Sequence, residues 1–278
     1  MPYKASSVTS ADGTPIAYRE YGRGPGVVLV HGGAGAAQSF DKLATMLAPD
    51  FTVYVPDRRG RGKSGPFGTS HGLATECADL EALLGQTGAR RVFGLSAGAV
   101  IALCTAVQSP VEKLALYEPP LLIDGAHPDA WAGRCERELD RGDVASALVT
   151  ILKGTGDVGS LLTYAPRFLM RPLASLLLRR EKPAADRISF RELIPTIRQD
   201  IAVVREAMTM TDRFAAIGGD LLLLGGSRSA RDLRIGLDGL ARRLPRARRV
   251  VLPRVGHTAA LDEDQPQLVA DQLRPFLR

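Results

Sequence analysis

Aromatic residues are scarce, making up 5% of the 278 residues, with a single tryptophan. That scarcity argues against a platform on which single-stranded nucleic acid could stack its bases. Cysteine is sparse too: Cys77, Cys104 and Cys135 are widely spaced, odd in number and form no C-x-x-C pair. A disulfide framework and a cysteine zinc site are both disfavoured, so free thiols in a reducing, cytoplasmic compartment are expected. No apolar run approaches the ~20 residues needed to cross a bilayer. The opening MPYKASSVTSADGT lacks the apolar stretch of a secretory signal, and no membrane partner is expected. Internal repeats and low-complexity tracts are also missing.

What is present is ordinary for a soluble globular protein, 45% hydrophobic and 24% charged. The length suits one large α/β domain, or a core with an inserted cap. A net charge of +6 invites a nucleic-acid reading. The arginines, however, sit mostly on amphipathic segments such as Ala241–Arg249, which predicts a solvated basic face and no nucleic-acid partner.

Val8 to Tyr21 predicts a hairpin around Asp12-Gly13. Gly26–Val30 is a continuous apolar run, as in a strand buried on both faces. A helix from about Gln38 to Leu47 follows, then strand Thr52–Pro56, helix Thr75–Gly88, strand Arg91–Leu95, helix Ala97–Ser109 and strand Lys113–Glu118. This alternation predicts a doubly wound, mostly parallel sheet. It stops after Pro119, where only helical patterns are found, among them Asp129–Leu139 and Tyr164–Arg180. It resumes with strand Leu221–Leu224, helix Leu233–Leu244, strand Arg249–Pro253 and helix Gln265–Leu277. The predicted organisation is a core of residues 1–118 and 215–278 with a helical cap, 119–214, inserted between two strands.

G-x-S-x-G occurs twice. Gly68-Thr69-Ser70-His71-Gly72 follows a proline in a loop with no strand leading into it, and is a decoy. Gly94-Leu95-Ser96-Ala97-Gly98 ends an apolar strand and opens a helix of small residues. A serine on such a turn has its hydroxyl exposed, and the helix N-terminus turns free N–H groups towards developing negative charge. Two phosphate motifs fail. Gly33-Ala34-Gly35 lacks the third glycine of a dinucleotide fingerprint, and Asp57 to Ser64 opens without the glycine of a Walker A loop. Of four histidines, His257 is the best catalytic candidate. It falls beyond the last strand, on the sheet edge that carries Ser96.

Taken together, these residues resemble the α/β-hydrolase superfamily over nearly the whole chain. The matching elements are His31-Gly32-Gly33, Asp57-Arg58-Arg59-Gly60-Arg61-Gly62-Lys63-Ser64-Gly65, the turn around Ser96, and Gly256-His257. The resemblance implies Ser96 as nucleophile, His257 as its base, and an oxyanion hole from the N–H groups of Ala97 and Gly33, or Ala34 if the loop is shifted by one. It implies no metal or organic cofactor.

The acid departs from the usual pattern. Family members most often carry an Asp just beyond the strand at Leu221–Leu224, where this chain reads Gly225-Gly226-Ser227-Arg228-Ser229, with Asp232 arriving late. Glu118 lies at the tip of the strand after the nucleophile helix, a position some superfamily members use. Glu118 is preferred, stiffened by Pro119-Pro120, with Asp232 as the alternative. Ser227, Arg228 and Ser229 then become pocket-edge or surface residues.

The expected function is cleavage of an ester or related acyl bond in a small, largely apolar substrate, through an acyl-enzyme on Ser96. A non-hydrolytic binding protein, or a C–C bond hydrolase or lyase using the same pocket, is the alternative. Trp131, Tyr164, Phe168, Met170, Met208 and Met210 are candidates for the cap side of the pocket, though most should be cap core. The partner is a small molecule, and the chain is a monomer or homodimer.

Overall fold

The computed structural model describes residues 3–156, 165–181 and 186–278. The described residues form an eight-stranded sheet in the order β1-β2-β4-β3-β5-β6-β7-β8. Strands β1 (Lys4–Thr9) and β2 (Pro15–Tyr21) are the predicted hairpin; both pairs that β2 makes, with β1 and with β4 (Thr52–Pro56), are antiparallel. From β4 onward every pairing is parallel, through β3 (Gly26–Val30), β5 (Arg91–Leu95), β6 (Lys113–Tyr117), β7 (Asp220–Gly226) and β8 (Arg248–Leu252). The central strands are apolar runs because both faces are covered, whereas β1 alternates exposed and half-buried residues at the edge.

Helices α1 (Asp41–Leu47) and α10 (Pro266–Leu277) pack on one face; α2 (Leu73–Thr87), α3 (Ala97–Ala106) and α9 (Arg231–Arg243) pack on the other. All ten residues of α3 are buried, which their small size permits. A Cβ on Gly98 would lie 2.3 Å from the Val30 carbonyl oxygen, and one on Gly94 would lie 2.6 Å from the Ala99 Cα. The two glycines flanking Ser96 therefore set how closely helix and strand approach.

Between β6 and β7 the chain carries α4 (Ala132–Asp140), α5 (Val144–Thr155), α6 (Arg167–Arg180), the single turn α7 (Phe190–Leu193) and α8 (Ile197–Ala207). Two of them start later than the pattern predicts: α4 begins after a run of turns, and α6 begins behind Pro166, whose ring suits a helix start. Tyr164 lies outside the described residues. Helix α8 joins the main core through Val203, Val204 and Ala207. Further ties are Leu73 N–H to Glu206 Oε2 at 2.7 Å, and the paired bonds between the Gln38 amide and the backbone of Ile188, at 2.8 and 2.6 Å. Among the described residues, no helix is long and apolar enough to cross a membrane.

Candidate active site

Strand β5 delivers Ser96 on a backbone that L-residues rarely adopt, with φ 54 and ψ −122. Such a conformation costs about 1–3 kcal/mol and persists only where its surroundings enforce it. Here the Ser96 N–H donates to the Tyr117 carbonyl at 2.9 Å, and the Ser96 carbonyl accepts from Ala99 at 2.9 Å and Val100 at 3.1 Å. The turn is thus locked between β6 and the first turn of α3.

Glu118 is the first residue beyond β6, where φ turns to 45 and ends the strand one residue earlier than the sequence pattern suggests. Its carboxylate is fully buried. Oε1 accepts from the Gly226 N–H at 2.7 Å, and Oε2 lies 2.8 Å from His257 Nδ1. A Cβ on Gly225 would sit 2.9 Å from Glu118 Oε1, so the glycine pair at the end of β7 makes room for this carboxylate and hydrogen-bonds it. Asp232 is elsewhere engaged: its Oδ1 accepts from the His127 N–H at 3.3 Å.

His257 is buried in the loop after β8. Neighbouring strand tips hold that loop. Tyr117 Oη donates to the Gly256 carbonyl at 2.7 Å, the Arg228 N–H to the Val255 carbonyl at 2.9 Å, and the Arg254 N–H to Ser227 Oγ at 2.8 Å. Ser227 and Arg228 are exposed as expected, yet the Ser227 hydroxyl and the Arg228 backbone clamp the histidine loop, and Ser229 is buried. Residue spacing does not reveal that clamp.

Ser96 and His257 line one cavity of about 900 Å³ and a smaller one of about 50 Å³ beside it; Gly33 and Trp131 line both. The walls of the larger cavity differ from the expected set. Leu148, Ile151 and Leu152 of α5, with Leu177 and Leu178 of α6, supply much of its apolar lining. Phe168 instead points outward at 72% exposure, Met170 is buried among α5 and α6, and Met210 packs on the main core. Leu148, Ile151 and Leu152 stand at i, i+3 and i+4, the helical spacing that could have pointed to this wall.

The loop after β3 lines the same cavity as His257 through Gly32, Gly33, Ala34 and Gly35. His31 is fully buried; its Nε2 accepts from the Arg58 N–H at 3.3 Å, which leaves Nδ1–H to donate to the Gly32 carbonyl at 2.9 Å. Burial, aided by the nearby Arg61 and Arg58 guanidinium groups, pushes its pKa down to about 3, so it stays neutral. The Ala34 N–H points to Asp200 Oδ2 at 3.3 Å, whereas no hydrogen bond among the described residues takes up the Gly33 N–H.

The motif from Asp57 to Gly65 cradles no phosphate, because the Asp57 carboxylate fills it. Asp57 accepts from the N–H groups of Ala37 at 2.9 Å and Lys63 at 3.3 Å, and a Cβ on Gly62 would fall 2.1 Å from Oδ2. Arg58, Arg59 and Arg61 are buried on acids: Glu76 and Asp200 for Arg58, Asp79 for Arg59, and Asp200 for Arg61. Much of the basic character at this motif is therefore neutralised inside the molecule. His71 of the decoy motif contacts Glu76 at 3.1 Å, and Ser70 is exposed away from the site. Among the described residues, no group of three or more His, Cys, Asp or Glu side chains is arranged to hold a metal ion.

A family model described as the alpha/beta hydrolase family matches residues 27–272. The chain is 32% identical to an alpha/beta hydrolase from Sphaerobacter thermophilus, with a TM-score of 0.77 over 98% of this chain and 100% of that one. It is 28% identical to the pimeloyl-[acyl-carrier protein] methyl ester esterase of Xanthomonas campestris, over 92% of this chain and 96% of that protein. It is 38% identical to the uncharacterized hydrolase YraK of Bacillus subtilis over 40% of this chain. That alignment spans 43% of YraK, less than half of its length. A family match over most of the sequence and full-length likeness to a named hydrolase agree with the strand order and with the turn at Ser96: the chain belongs to the alpha/beta hydrolase family.

Proposed function

We propose that this chain is a serine ester hydrolase in which Ser96, His257 and Glu118 act as nucleophile, base and orienting acid. The observation that carries the reading is the 2.8 Å contact between His257 Nδ1 and the fully buried Glu118, with His257 and Ser96 lining the same cavity. A carboxylate there keeps the proton of neutral His257 on Nδ1 and makes Nε2 the nitrogen that accepts the Ser96 proton. Ser96 Oγ attacks the ester carbonyl and loses its proton to His257. The resulting oxyanion is received by the N–H groups of Gly33 and Ala97, Ala34 being committed to Asp200. His257 returns the proton to the departing alcohol, then activates water to cleave the acyl-enzyme. Residues 119–214 act as a cap, and the leucine-rich wall from α5 and α6 favours an apolar acyl or alcohol group.

The reading is tested by hydrolysis of short activated esters and by covalent labelling with a fluorophosphonate. Wild type should turn over the esters and take up one equivalent of label. Ser96→Ala should lose about 10⁴-fold or more of kcat and all labelling. Turnover that survives Ser96→Ala removes Ser96 as nucleophile. A wild-type protein that binds esters without cleaving them or reacting with the probe is a binding module instead.

A further inference from the structure

Gly33 is flanked on both sides by hydrogen bonds from groups other than Ser96, His257 and Glu118. On one side His31 Nδ1–H holds the Gly32 carbonyl at 2.9 Å. On the other, Asp200 Oδ2 accepts the Ala34 N–H at 3.3 Å. Arg58 joins the two restraints: its backbone N–H donates to His31, and its Nη1 donates to Asp200 Oδ1 at 2.8 Å. Arg61 Nη2 reaches Asp200 Oδ2 at 2.7 Å. Asp200 belongs to α8, within the helical insertion, and it lines the small cavity beside Ser96 and His257.

Packing is as tight as the hydrogen bonding. A Cβ on Gly33 would fall 2.6 Å from Ile197 Cδ1 and 3.2 Å from Asp200 Oδ2, so α8 lies directly against this glycine. Ala34 holds φ at 49, a left-handed conformation that a non-glycine residue keeps only under external restraint. Burial opposes a charge on Asp200, yet Arg61 and Arg58 beside it keep its carboxyl below the usual range, so an anion accepts the Ala34 N–H.

We propose that Asp200 is a positioning residue: from the insertion it fixes the Ala34 peptide and thereby aims the Gly33 N–H at the ester oxyanion. This rests on the ester-hydrolase reading above. Its consequence is that seating α8 and completing the oxyanion site are one event, with Arg58 and Arg61 as the link.

Glu76 supplies the control. It is the other buried carboxylate of the cluster, bound to Arg58 through Nη2 at 2.7 Å and Nε at 2.9 Å and in contact with His71 at 3.1 Å; among the described residues no hydrogen bond joins it directly to the Gly32–Gly35 loop, which it reaches only through Arg58. Asp200→Asn and Glu76→Gln each remove one buried negative charge from the same cluster at nearly constant size. A purely structural role for Asp200 predicts that both variants lose thermal stability and keep the same kcat. Positioning predicts that Asp200→Asn falls at least about tenfold below Glu76→Gln, both in kcat and in the rate of phosphonylation, with KM changed less than about threefold. Asp200→Glu retains the charge but moves the carboxylate by one methylene, so it should show the same loss of kcat, with the Tm lowered only as far as the extra methylene crowds this buried site. A kcat for Asp200→Asn within threefold of Glu76→Gln overturns the proposal. If Asp200→Asn does not accumulate as folded protein, the same criterion applied to Asp200→Glu decides. Wild-type protein inert to both esters and probe removes the hydrolase reading, and this inference with it. Active wild type with an unaffected Asp200 variant removes this inference alone.

Discussion

Strands β6 and β7 lie side by side in parallel register and end at the same edge of the sheet, yet their tips are built oppositely. β6 runs directly into Glu118, a carboxylate on a strained backbone with φ 45; β7 ends in Gly225 and Gly226, which carry no side chain. The two tips make one device. The acid projects from β6 across β7, occupies the space beside Gly225, and takes a 2.7 Å hydrogen bond from the Gly226 N–H. A glycine pair at a strand tip is therefore legible as a receptor for a neighbour's carboxylate rather than as the trace of a lost one.

The sharpest way to break this comparison is Glu118→Gln. The Gly226 N–H needs an acceptor, so the amide oxygen should face Gly226 and the NH₂ should face His257 Nδ1. Nδ1 must then accept and Nε2 must carry the proton, which is the wrong tautomer for a base acting on Ser96. We expect kcat to fall by about 10³–10⁴-fold with little change in fold. Steady-state ester hydrolysis checks the rate and circular dichroism checks the fold. Near-wild-type turnover would mean that β6 does not carry the acid.

The receiving strand can be tested next. A methyl group at Gly226 would meet the Val255 carbonyl oxygen at 2.3 Å, backbone that cannot swing aside without moving the His257 loop. Gly226→Ala should destabilise by about 2–3 kcal/mol in urea unfolding and lower kcat by tens of fold. Gly225→Ala meets Leu237 Cδ2 at 2.7 Å and Glu118 Oε1 at 2.9 Å, the far ends of side chains, and should cost about 1 kcal/mol. If Gly225→Ala proved the worse for activity at equal stability, crowding of Glu118 rather than displacement of the loop would govern the site.

A smaller effect is expected at Tyr117, the last residue of β6, whose hydroxyl donates to the Gly256 carbonyl at 2.7 Å. Tyr117→Phe removes one partly buried hydrogen bond, about 1 kcal/mol, and should lower kcat only a few-fold, because Ser227 and Arg228 of the β7 tip still clamp the loop. Unfolding midpoint and kcat measured together separate the two contributions.

These contrasts also show what a sequence can reveal. The buried runs of β3, β5, β6 and β7 were legible because a strand covered on both faces must be apolar, and Gly94 and Gly98 because close approach of α3 leaves no room for a Cβ. Ser96, Glu118 and His257 were legible as residues at one sheet edge, since parallel strands send every carboxyl end the same way. Asp200 was not. It sits in an amphipathic helix where an acid reads as solvated, and its partners Arg58 and Arg61 lie more than a hundred residues earlier. Pairing across that distance is a property of the folded state. The same holds for Phe168, which helical spacing assigns to a cap interior and tertiary packing turns outward.

The smallest expected effect lies at Asp232, the carboxylate that follows the β7 tip and was the competing acid. Its Oδ1 accepts from the His127 N–H at 3.3 Å, near the first turn of α9, while the space a β7 acid would need beside His257 is filled by Glu118. Asp232→Asn keeps an oxygen for that single hydrogen bond, so kcat should remain within about twofold of wild type and stability within about 0.5 kcal/mol. Asparagine at the first turn of α9 forgoes a favourable interaction between a negative charge and the helix N-terminus, worth a few tenths of a kcal/mol at an exposed site. A small loss of stability at unchanged kcat therefore agrees with Glu118 as the acid. A large loss of kcat in Asp232→Asn beside an active Glu118→Gln would reverse the two tips and return the acid to β7.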